Sequence, residues 1–162
     1  MTNAPKCQIE KIQDQIVDRL KDQVGSKFYI DAFPANTSQF DPAMMEAAIL
    51  VNYAGSRYGA FRETDTSQQL RDMRFTLVLH VQNLVKPSEA YEHLETIRKA
   101  VQSVPLEGST PIKLVSEQLA GQNAGQWEWH IEIALTTNAV AAFTPYTPPR
   151  VPLNKFKQGQ GS

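Results

Sequence analysis

The residues best suited to chemistry are histidines and carboxylates at the polar positions of two patterned segments, 70–82 and 126–137. They are Asp72, His80, Glu128, His130 and Glu132. If the two segments were neighbouring strands, imidazole and carboxylate groups would meet on one face of a sheet. Such a set is suited to binding a metal ion or to general acid–base catalysis.

A solvated polar face explains the same pattern without any chemistry. Cross-strand charge pairs on such a face each contribute only on the order of a few tenths of a kcal/mol. The sequence contains no HExxH or HxxxH motif, no GxSxG turn and no Walker-type phosphate loop. We therefore predict no catalytic residue, no metal site and no cofactor. The less favoured alternative is a small α+β metal-dependent enzyme that uses His80 and His130.

Other reactive or aromatic residues favour structural roles. Cys7 is the only cysteine, which excludes a disulfide framework and a cysteine-based metal site. His93 follows Glu92 on a predicted helix and is expected at the surface. Trp127 and Trp129 alternate with isoleucines, a pattern that predicts a core or an interface rather than a platform for stacking nucleic-acid bases.

Length and charge restrict the class of protein. The chain has 162 residues, with 16 basic and 17 acidic side chains and a formal charge of −1. This length suits one domain, and without a basic excess we expect no nucleic-acid partner. The polar start lacks an apolar signal core and no apolar run is long enough for a membrane span. We therefore expect no membrane contact and assembly in a cytoplasm.

Two long segments alternate as strands do when one face is buried. In 70–82 the odd positions from Met73 to Val81 are apolar and the even positions are mostly polar, and 126–137 repeats the pattern. At about 3.3 Å per residue, the first segment spans roughly 40 Å, close to the diameter of a compact domain of this length. The strand is therefore predicted to cross the domain or to project from it.

Two amphipathic helices are predicted. The first begins near Pro5 and ends before Gly25, and the second runs from Pro87 through Val104. Apolar residues recur in both at helical spacing, with charged residues between them. The two stripes consist of Ile9, Ile12, Ile16, Leu20 and Val24 in the first helix and Ala90, Leu94, Ile97, Val101 and Val104 in the second.

Shorter strands are predicted at 27–33 and 48–53, and Gly55 with Ser56 is expected to end the second of them. A helix over 42–50, or one helical turn at 42–46, stays open as an alternative. Two strands finish the chain after the second helix. They are 111–119 and the segment 126–137, joined by a hairpin connection at 121–125.

The fold predicted from these elements is α+β, in the order α-β-β-β-α-β-β. It is a largely antiparallel or mixed sheet of about five strands with two helices packed on one face. Residues 1–139 form the domain, and 140–162 are a proline-rich extended tail that is either disordered or an arm docked on a neighbour. Residues 57–69 lack periodicity and are predicted to be a polar loop of unusual length, which is typical of functional or disordered segments.

Four stretches between Ile9 and Leu135 carry a resemblance to a known family. They are the opening amphipathic helix, AAILVNYAGS (47–56), HVQNLVKPSEAYEHLETIRKAV (80–101) and GQWEWHIEIAL (125–135). In order and spacing they resemble the Mu-like phage and prophage tail proteins of the product-thirty-seven type. That family is similar in role to the tail terminator or tail completion proteins of long-tailed phages and of phage-tail-like particles.

The resemblance implies a non-enzymatic structural protein of the virion, assembled in the host bacterial cytoplasm. It would form a ring, usually sixfold, on the head-proximal end of the tail tube. Its partners would be further copies of itself, the tail tube and sheath proteins, and the neck or connector. The alternative is another neck, connector or tail-completion component of the same particle.

Aromatic and arginine side chains are enriched at interfaces, and on this ground we predict a set of partner contacts. They are Arg57, Tyr58, Phe61 and Arg62 in the polar loop, and Phe143, Tyr146 and Phe156 in the tail. The alternative for the first group is a mobile loop with incidental aromatic residues.

Overall fold

A computed structural model of the chain describes residues 4–34, 46–62 and 65–142. Within these ranges it contains two α-helices and five β-strands. Their bounds are α1 Gln8–Val24, β1 Tyr29–Ala32, β2 Ala47–Arg62, β3 Asp65–Gln82, α2 Pro87–Val101, β4 Lys113–Asn123 and β5 Gln126–Val140. No helix in the described ranges is long and apolar enough to cross a membrane.

The strands form one mixed sheet in the order β1-β2-β3-β5-β4. β1 pairs parallel with β2, and the three other contacts are antiparallel. β3 lies at the centre, where Leu77 is opposite Val51 of β2 and Ile131 of β5. The predicted α+β class, element order and mixed sheet of about five strands are confirmed.

Both helices pack on one face of the sheet, which we call the helix side. The odd-numbered side chains of β3 from Met73 to Val81 are buried there and form one core with the apolar stripes of the helices. Phe75 is fully buried, and its ring centroid lies 5.4 Å from that of Tyr53. The predicted buried face of the long strand is confirmed.

Two polar side chains of α1 fasten the helix layer. Gln13 donates its amide to the Val51 carbonyl of β2 at 2.8 Å, and Arg19 Nε donates to the Ala100 carbonyl of α2 at 2.9 Å. The carbonyls of a last helical turn have no partner within the helix. Arg19 therefore satisfies one of these groups while it joins the two helices.

The ends of α2 follow from local chemistry. Pro87 stands at the start, where a missing N–H costs nothing. The helix ends at Val101 rather than at the predicted Val104, because Ser103 has a φ of 60° and donates its N–H to the Ile112 carbonyl at 2.9 Å. This contact turns the chain toward β4.

β2 corrects the prediction that Gly55 and Ser56 end a strand. The strand continues to Arg62 and β3 begins at Asp65, so the predicted polar loop at 57–69 is mostly a two-stranded hairpin. Gly55 has a φ of 125° and lies at a register shift in the β2–β3 pairing. It therefore marks a β-bulge, after which the pairing resumes.

The β4–β5 hairpin is also longer than predicted. β4 reaches Asn123, and a two-residue turn at Ala124 and Gly125 leads into β5. Both turn residues have positive φ, which is typical of the type I′ turn that joins tight hairpins. Residues 121–123, predicted as connection, are therefore strand, and β5 extends to Val140.

Some predictions fall where the structure gives no description. Residues 42–45 of the alternative helical turn and the tail beyond residue 142 lie outside the described residues. The helix proposed as an alternative over 42–50 is wrong from Ala47 onward, because β2 begins there.

Candidate functional site

The distal ends of β2 and β3 form an arm, defined here as residues 57–62 and 65–70. Side chains 57–62 are all exposed, whereas 47–51 of the same strand are buried. The 18 residues of β3 span roughly 60 Å at about 3.3 Å per residue. A compact domain of this length has a diameter of only roughly 40 Å. The arm therefore lies outside the hydrophobic core.

The predicted partner contacts of the polar loop all lie on the β2 strand of this arm. They are Arg57, Tyr58, Phe61 and Arg62. Tyr58 is 57% exposed and Phe61 is 56% exposed. They sit on a hydrogen-bonded strand, so the predicted loop conformation is wrong, while their role as contacts stays a prediction. The tail contacts Phe143, Tyr146 and Phe156 lie outside the described residues.

Arg71 fastens the base of the arm to the body of the domain. Its Nε donates to Ser56 Oγ at 3.0 Å and its Nη2 to the Tyr53 hydroxyl at 3.2 Å. Nη1 lies 3.5 Å from Gln8 Oε1 at the start of α1. The guanidinium carbon is 5.6 Å from the ring centroid of Tyr58, a cation–π distance. This network links arm, sheet and helix.

The sheet has two strand edges without a neighbour in the described part of the chain. β1 pairs with β2 only at Ala48–Val51, so residues 52–62 have no strand partner on their outer side among the described residues. β4 forms the opposite edge of the sheet. Unpaired strand edges are templates for adding a strand of another chain. The architecture therefore offers two edges for association.

The histidines and carboxylates considered for chemistry meet on the face opposite the helices, which we call the open side. His80 is opposite Glu128 in the β3–β5 register. Glu128 Oε1 lies 2.6 Å from His130 Nε2, and Glu128 Oε2 lies 3.8 Å from His80 Nδ1. Burial lowers the pKa of His80, and the Glu128 carboxylate opposes this shift. The arrangement is that of imidazole–carboxylate contacts between and along neighbouring strands.

A metal site is not evident on this face. Across the described ranges, no group of three or more His, Cys, Asp or Glu side chains is placed to hold a metal ion. A hollow of about 270 Å³ beside His80 and Glu128 is otherwise lined by residues of the β4–β5 turn region. The geometry therefore adds no support for the enzyme alternative.

A second charge cluster on the open side centres on Arg74. Its Nη1 lies 2.8 Å from Glu132 Oε1 and its Nη2 lies 3.8 Å from Asp72 Oδ2. Ser116 of β4 donates its hydroxyl to the other Glu132 oxygen at 3.3 Å. The hydrogen bond to Glu132 raises the pKa of Arg74. These are the cross-strand charge pairs that the polar positions predicted.

His93 is not the surface residue that the sequence predicted. It is half-buried on α2, and its ring meets that of Phe28 edge to face with centroids 4.8 Å apart. Burial lowers the pKa of His93, and the nearby carboxylates of Glu92 and Glu89 only oppose this shift. Cys7 is exposed at the start of α1.

The flank opposite the arm carries a second exposed apolar area, on the helix side of β4 and β5. Tyr91 of α2 meets Trp129 edge to face with centroids 6.2 Å apart, and Leu119 lies opposite Trp129 in the β4–β5 register. Tyr91 is 53% exposed and Leu119 is 45% exposed. We name Tyr91, Leu119, Trp127 and Trp129 the tryptophan surface. Both tryptophans are half-buried at the border of the core.

Sequence reasoning missed Arg71 and the grouping of Tyr91 and Leu119 with the two tryptophans, which it had assigned to a core or an interface. Arg71 occupies an odd position of β3, on the face where the other residues from Met73 to Val81 are apolar. A charged residue on that face was the signal that could have singled it out. The contact between Tyr91 and Trp129 joins elements far apart in the chain. Local periodicity contains no information about such contacts.

A protein-family model matches most of the chain. Residues 16–156 match the model of a family described as Gp37 protein. The matched range takes in most of the described chain, from the middle of α1 through β5, and part of the tail. Among curated proteins, none matches the chain.

A solved structure shares the fold. It is a chain in the virion of a native gene transfer agent particle, with a TM-score of 0.54 and 9% sequence identity. The alignment covers 83% of the present chain and 100% of that chain. At such low identity the likeness shows the fold alone.

Proposed function

The chain belongs to the Gp37 protein family, and we propose that it is a non-enzymatic structural protein of a phage or phage-tail-like particle. In this proposal it acts as a tail terminator. Copies form a sixfold ring on the head-proximal end of the tail tube, stop its growth and offer a surface to the neck. The resemblance to product-thirty-seven tail proteins and the fold shared with a chain of a gene transfer agent virion support this role.

The arm is the observation that carries the proposal. It holds two aromatic and two arginine side chains in water on an ordered strand. Exposed apolar groups of this kind mark interaction sites, and aromatic residues and arginine are the types enriched at interfaces. A ring requires one patch that meets a different patch on the next copy. An arm on one flank of the sheet supplies such a patch.

The partners in this proposal are other copies of the chain, the end of the tail tube with its sheath, and the neck. Arg57, Tyr58, Phe61 and Arg62 contact the next copy. Phe143, Tyr146 and Phe156 lie in the segment that follows β5, which ends at Val140. They add contacts to a neighbouring subunit.

The test is an assembly assay with the purified full chain and tail tubes polymerised from the tube protein of the same particle. We expect rings at one end of each tube in negative-stain images, and tubes that no longer elongate. A protein that stays monomeric by light scattering and binds no tube end contradicts the proposal. Binding to isolated necks without binding to tubes would instead indicate another neck component.

The arm can be tested separately from the fold. The variant Phe61→Ser removes a ring that is 56% exposed, so folding should be unaffected, while ring assembly should need a concentration at least about tenfold higher. The matched control is Val85→Ser, since Val85 is 84% exposed in the connection between β3 and α2. Equal assembly of Phe61→Ser and the control would contradict a role for the arm.

A further inference from the structure

We propose that the tryptophan surface is the docking site for the arm of a second copy of this chain. The inference rests on the proposed ring, because it names the two surfaces through which neighbouring copies would join. The surface would take an aromatic and cationic strand, and the arm has that composition.

The positions of the two surfaces suit a head-to-tail contact. The arm extends β2, the tryptophan surface lies along β4 and β5, and β3 with β5 separates β2 from β4 in the sheet. One copy can therefore offer its arm on one flank while its other flank receives the arm of the preceding copy. This is a heterologous interface, which closes into a ring when the rotation between copies permits.

Strand directions agree with this contact. Three antiparallel pairings lie between β2 and β4, so these two strands run in opposite directions. Neighbouring copies of a sixfold ring whose strands are inclined to the ring axis keep the same sense of strand direction. The arm strand of one copy would then run antiparallel to β4 of the next, which is the commoner pairing in sheets.

The exposed apolar side chains of the arm and of the tryptophan surface lie on the same side of the sheet. Tyr58 is opposite Arg71 and Phe61 is opposite Gln69 in the register of the arm, which places both aromatic rings on the helix side. Leu119 is opposite Trp129 and also faces the helix side. In a continuous sheet the exposed apolar groups of the two copies would meet on one side.

The arm and β4 occupy different positions along the strand direction, and this difference restricts the geometry of the ring. Along the strand direction, the arm lies beside residues 65–72 of β3. β4 lies at the position of residues 74–82 of β3, as its pairing with β5 shows. Copies in a ring share one height, so arm and β4 can meet only if the strands are inclined to the ring axis. Strands of closed barrels are inclined in this way.

The rim of the tryptophan surface carries carboxylates that can pair with the arginines of the arm. Arg98 on α2 forms an ion pair with Glu95 at 2.7 Å. The pKa of Arg98 is raised chiefly by Glu95 and also by Glu117 of β4, so both carboxylates lie near Arg98 at the rim of the tryptophan surface. Lys99 also lies near Glu95, so the rim holds two cations and two carboxylates, and Arg57 and Arg62 lie on the exposed strand of the arm. Glu95 and Glu117 are the rim groups suited to these arginines, and such charge pairing favours correct encounter.

A complementation experiment tests the inference. Phe61→Lys blocks the arm and leaves the tryptophan surface intact, and Leu119→Lys does the reverse. Both residues are exposed, so both variants should keep the circular dichroism of the parent. We expect neither variant to assemble alone, and an equimolar mixture to form a 1:1 heterodimer by light scattering. Val85→Lys is the control and should assemble like the parent.

Tryptophan fluorescence gives a second readout, because the only two tryptophans of the chain both lie in the proposed docking surface. Assembly of the parent, alone or on tail tubes, should shift their emission, and the mixture of the two variants should show part of this shift. Phe61→Lys alone should show none.

The outcomes separate this inference from the ring itself. If the parent forms rings without an emission change, and Leu119→Lys still forms them, the docking site is wrong while the ring stands. A mixture that fails to dimerise while the parent assembles has the same meaning. If the parent assembles neither alone nor on tubes, the proposed function fails and this inference fails with it.

Discussion

Arg71 shows how a charged side chain can occupy an inward position of a strand. The alternation of β3 assigns it to the same face as Met73 and Phe75, which are fully buried. The hydroxyls of Ser56 and Tyr53 accept its guanidinium hydrogen bonds at the point where the core ends. Hydrogen bonds to a charged donor contribute about 1.5–3 kcal/mol each when the partners are shielded from water. Arg71 therefore marks the boundary between domain and arm.

We predict that Arg71→Ala lowers the free energy of unfolding by about 1–3 kcal/mol, since it removes the guanidinium contacts to Ser56, Tyr53 and Gln8 and leaves only the bond between the two hydroxyls, which lie 2.6 Å apart. It should also speed amide hydrogen exchange in 57–62 more than in the helices. Urea unfolding and hydrogen exchange by mass spectrometry measure both effects. Arg62→Ala is the control and should change stability by less than about 0.5 kcal/mol. Equal effects of the two variants would contradict an anchoring role.

His93 gives the fold a pH dependence of definite sign. Its pKa in the folded state lies below the ordinary value of 6.5 because it is buried against Phe28, while Lys27 adds to the shift and the carboxylates of Glu92 and Glu89 oppose it. Between the two pKa values the unfolded chain binds more protons than the folded chain. Stability should therefore be highest above the unfolded pKa and should decline as the pH falls below about 6.5.

The prediction is measured as the free energy of unfolding in urea between about pH 7.5 and about pH 5. The parent should lose stability over this range, and His93→Gln should lose less because it has no imidazole to protonate. The other ionisable groups are common to both proteins, so the difference between their pH profiles isolates His93. Identical slopes for the two proteins would show that His93 does not titrate differently on folding.

Among the elements, burial decides which could be predicted. β3 and β5 alternate because one face lies in the core, and α1 and α2 carry stripes for the same reason. Residues 57–62 show no alternation because the side chains on both faces of this strand segment are exposed. They form a strand because they pair with β3, and backbone pairing alone produces no hydrophobic alternation in the sequence. The sequence therefore predicted a loop there.

Gly55 misled the prediction for a related reason. A glycine after a strand usually marks a turn, but here it provides the positive φ of a bulge. Gly55 is itself paired with Arg74, and Ser56 and Arg57 continue the pairing with β3. Bulges and strand ends call for the same residue type. Only the partner strand distinguishes them.

We predict that Gly55→Ala costs about 1–3 kcal/mol of unfolding free energy, because an L residue is strained at a φ of 125°. A Cβ at position 55 would meet no atom within 4 Å, so the cost is conformational rather than steric. Gly121→Ala is the matched control, since its Cβ also meets nothing and its φ is not in the positive range. Thermal and urea unfolding compare the two variants. Similar losses for both would contradict the strain argument.

For the molecule as a whole, the class and the order of elements were predictable, whereas the neighbours of each strand were not. His80 meets Glu128 because β5 lies beside β3 in one particular register. A register shifted by one residue would turn Glu128 to the other face. The same holds for the tryptophan surface, which exists because β4, β5 and α2 converge. Candidate sites made of tertiary contacts therefore required the structure.

The extent of the domain leads to a prediction for the whole chain. All strand pairs and core contacts described here lie within residues 4–142, and the last of them is the bond from Ala141 N–H to the Ser67 carbonyl at 2.8 Å. We predict that a chain ending after Ala142 keeps the unfolding free energy of the full chain to within about 0.5 kcal/mol. Urea unfolding of both chains tests this. A large loss would show that residues beyond 142 belong to the domain.

The continuity of β3 has a mechanical consequence. The strand runs unbroken from the arm into the core, with β2 bonded along one edge and β5 along the other. A pull on the arm along the strand direction would load both ladders in shear, so that many hydrogen bonds bear the force at once. Forced unfolding is governed by the unfolding rate, and that rate should respond weakly to such a load. A protein built in this way would transmit tension from its neighbour into its most buried strand.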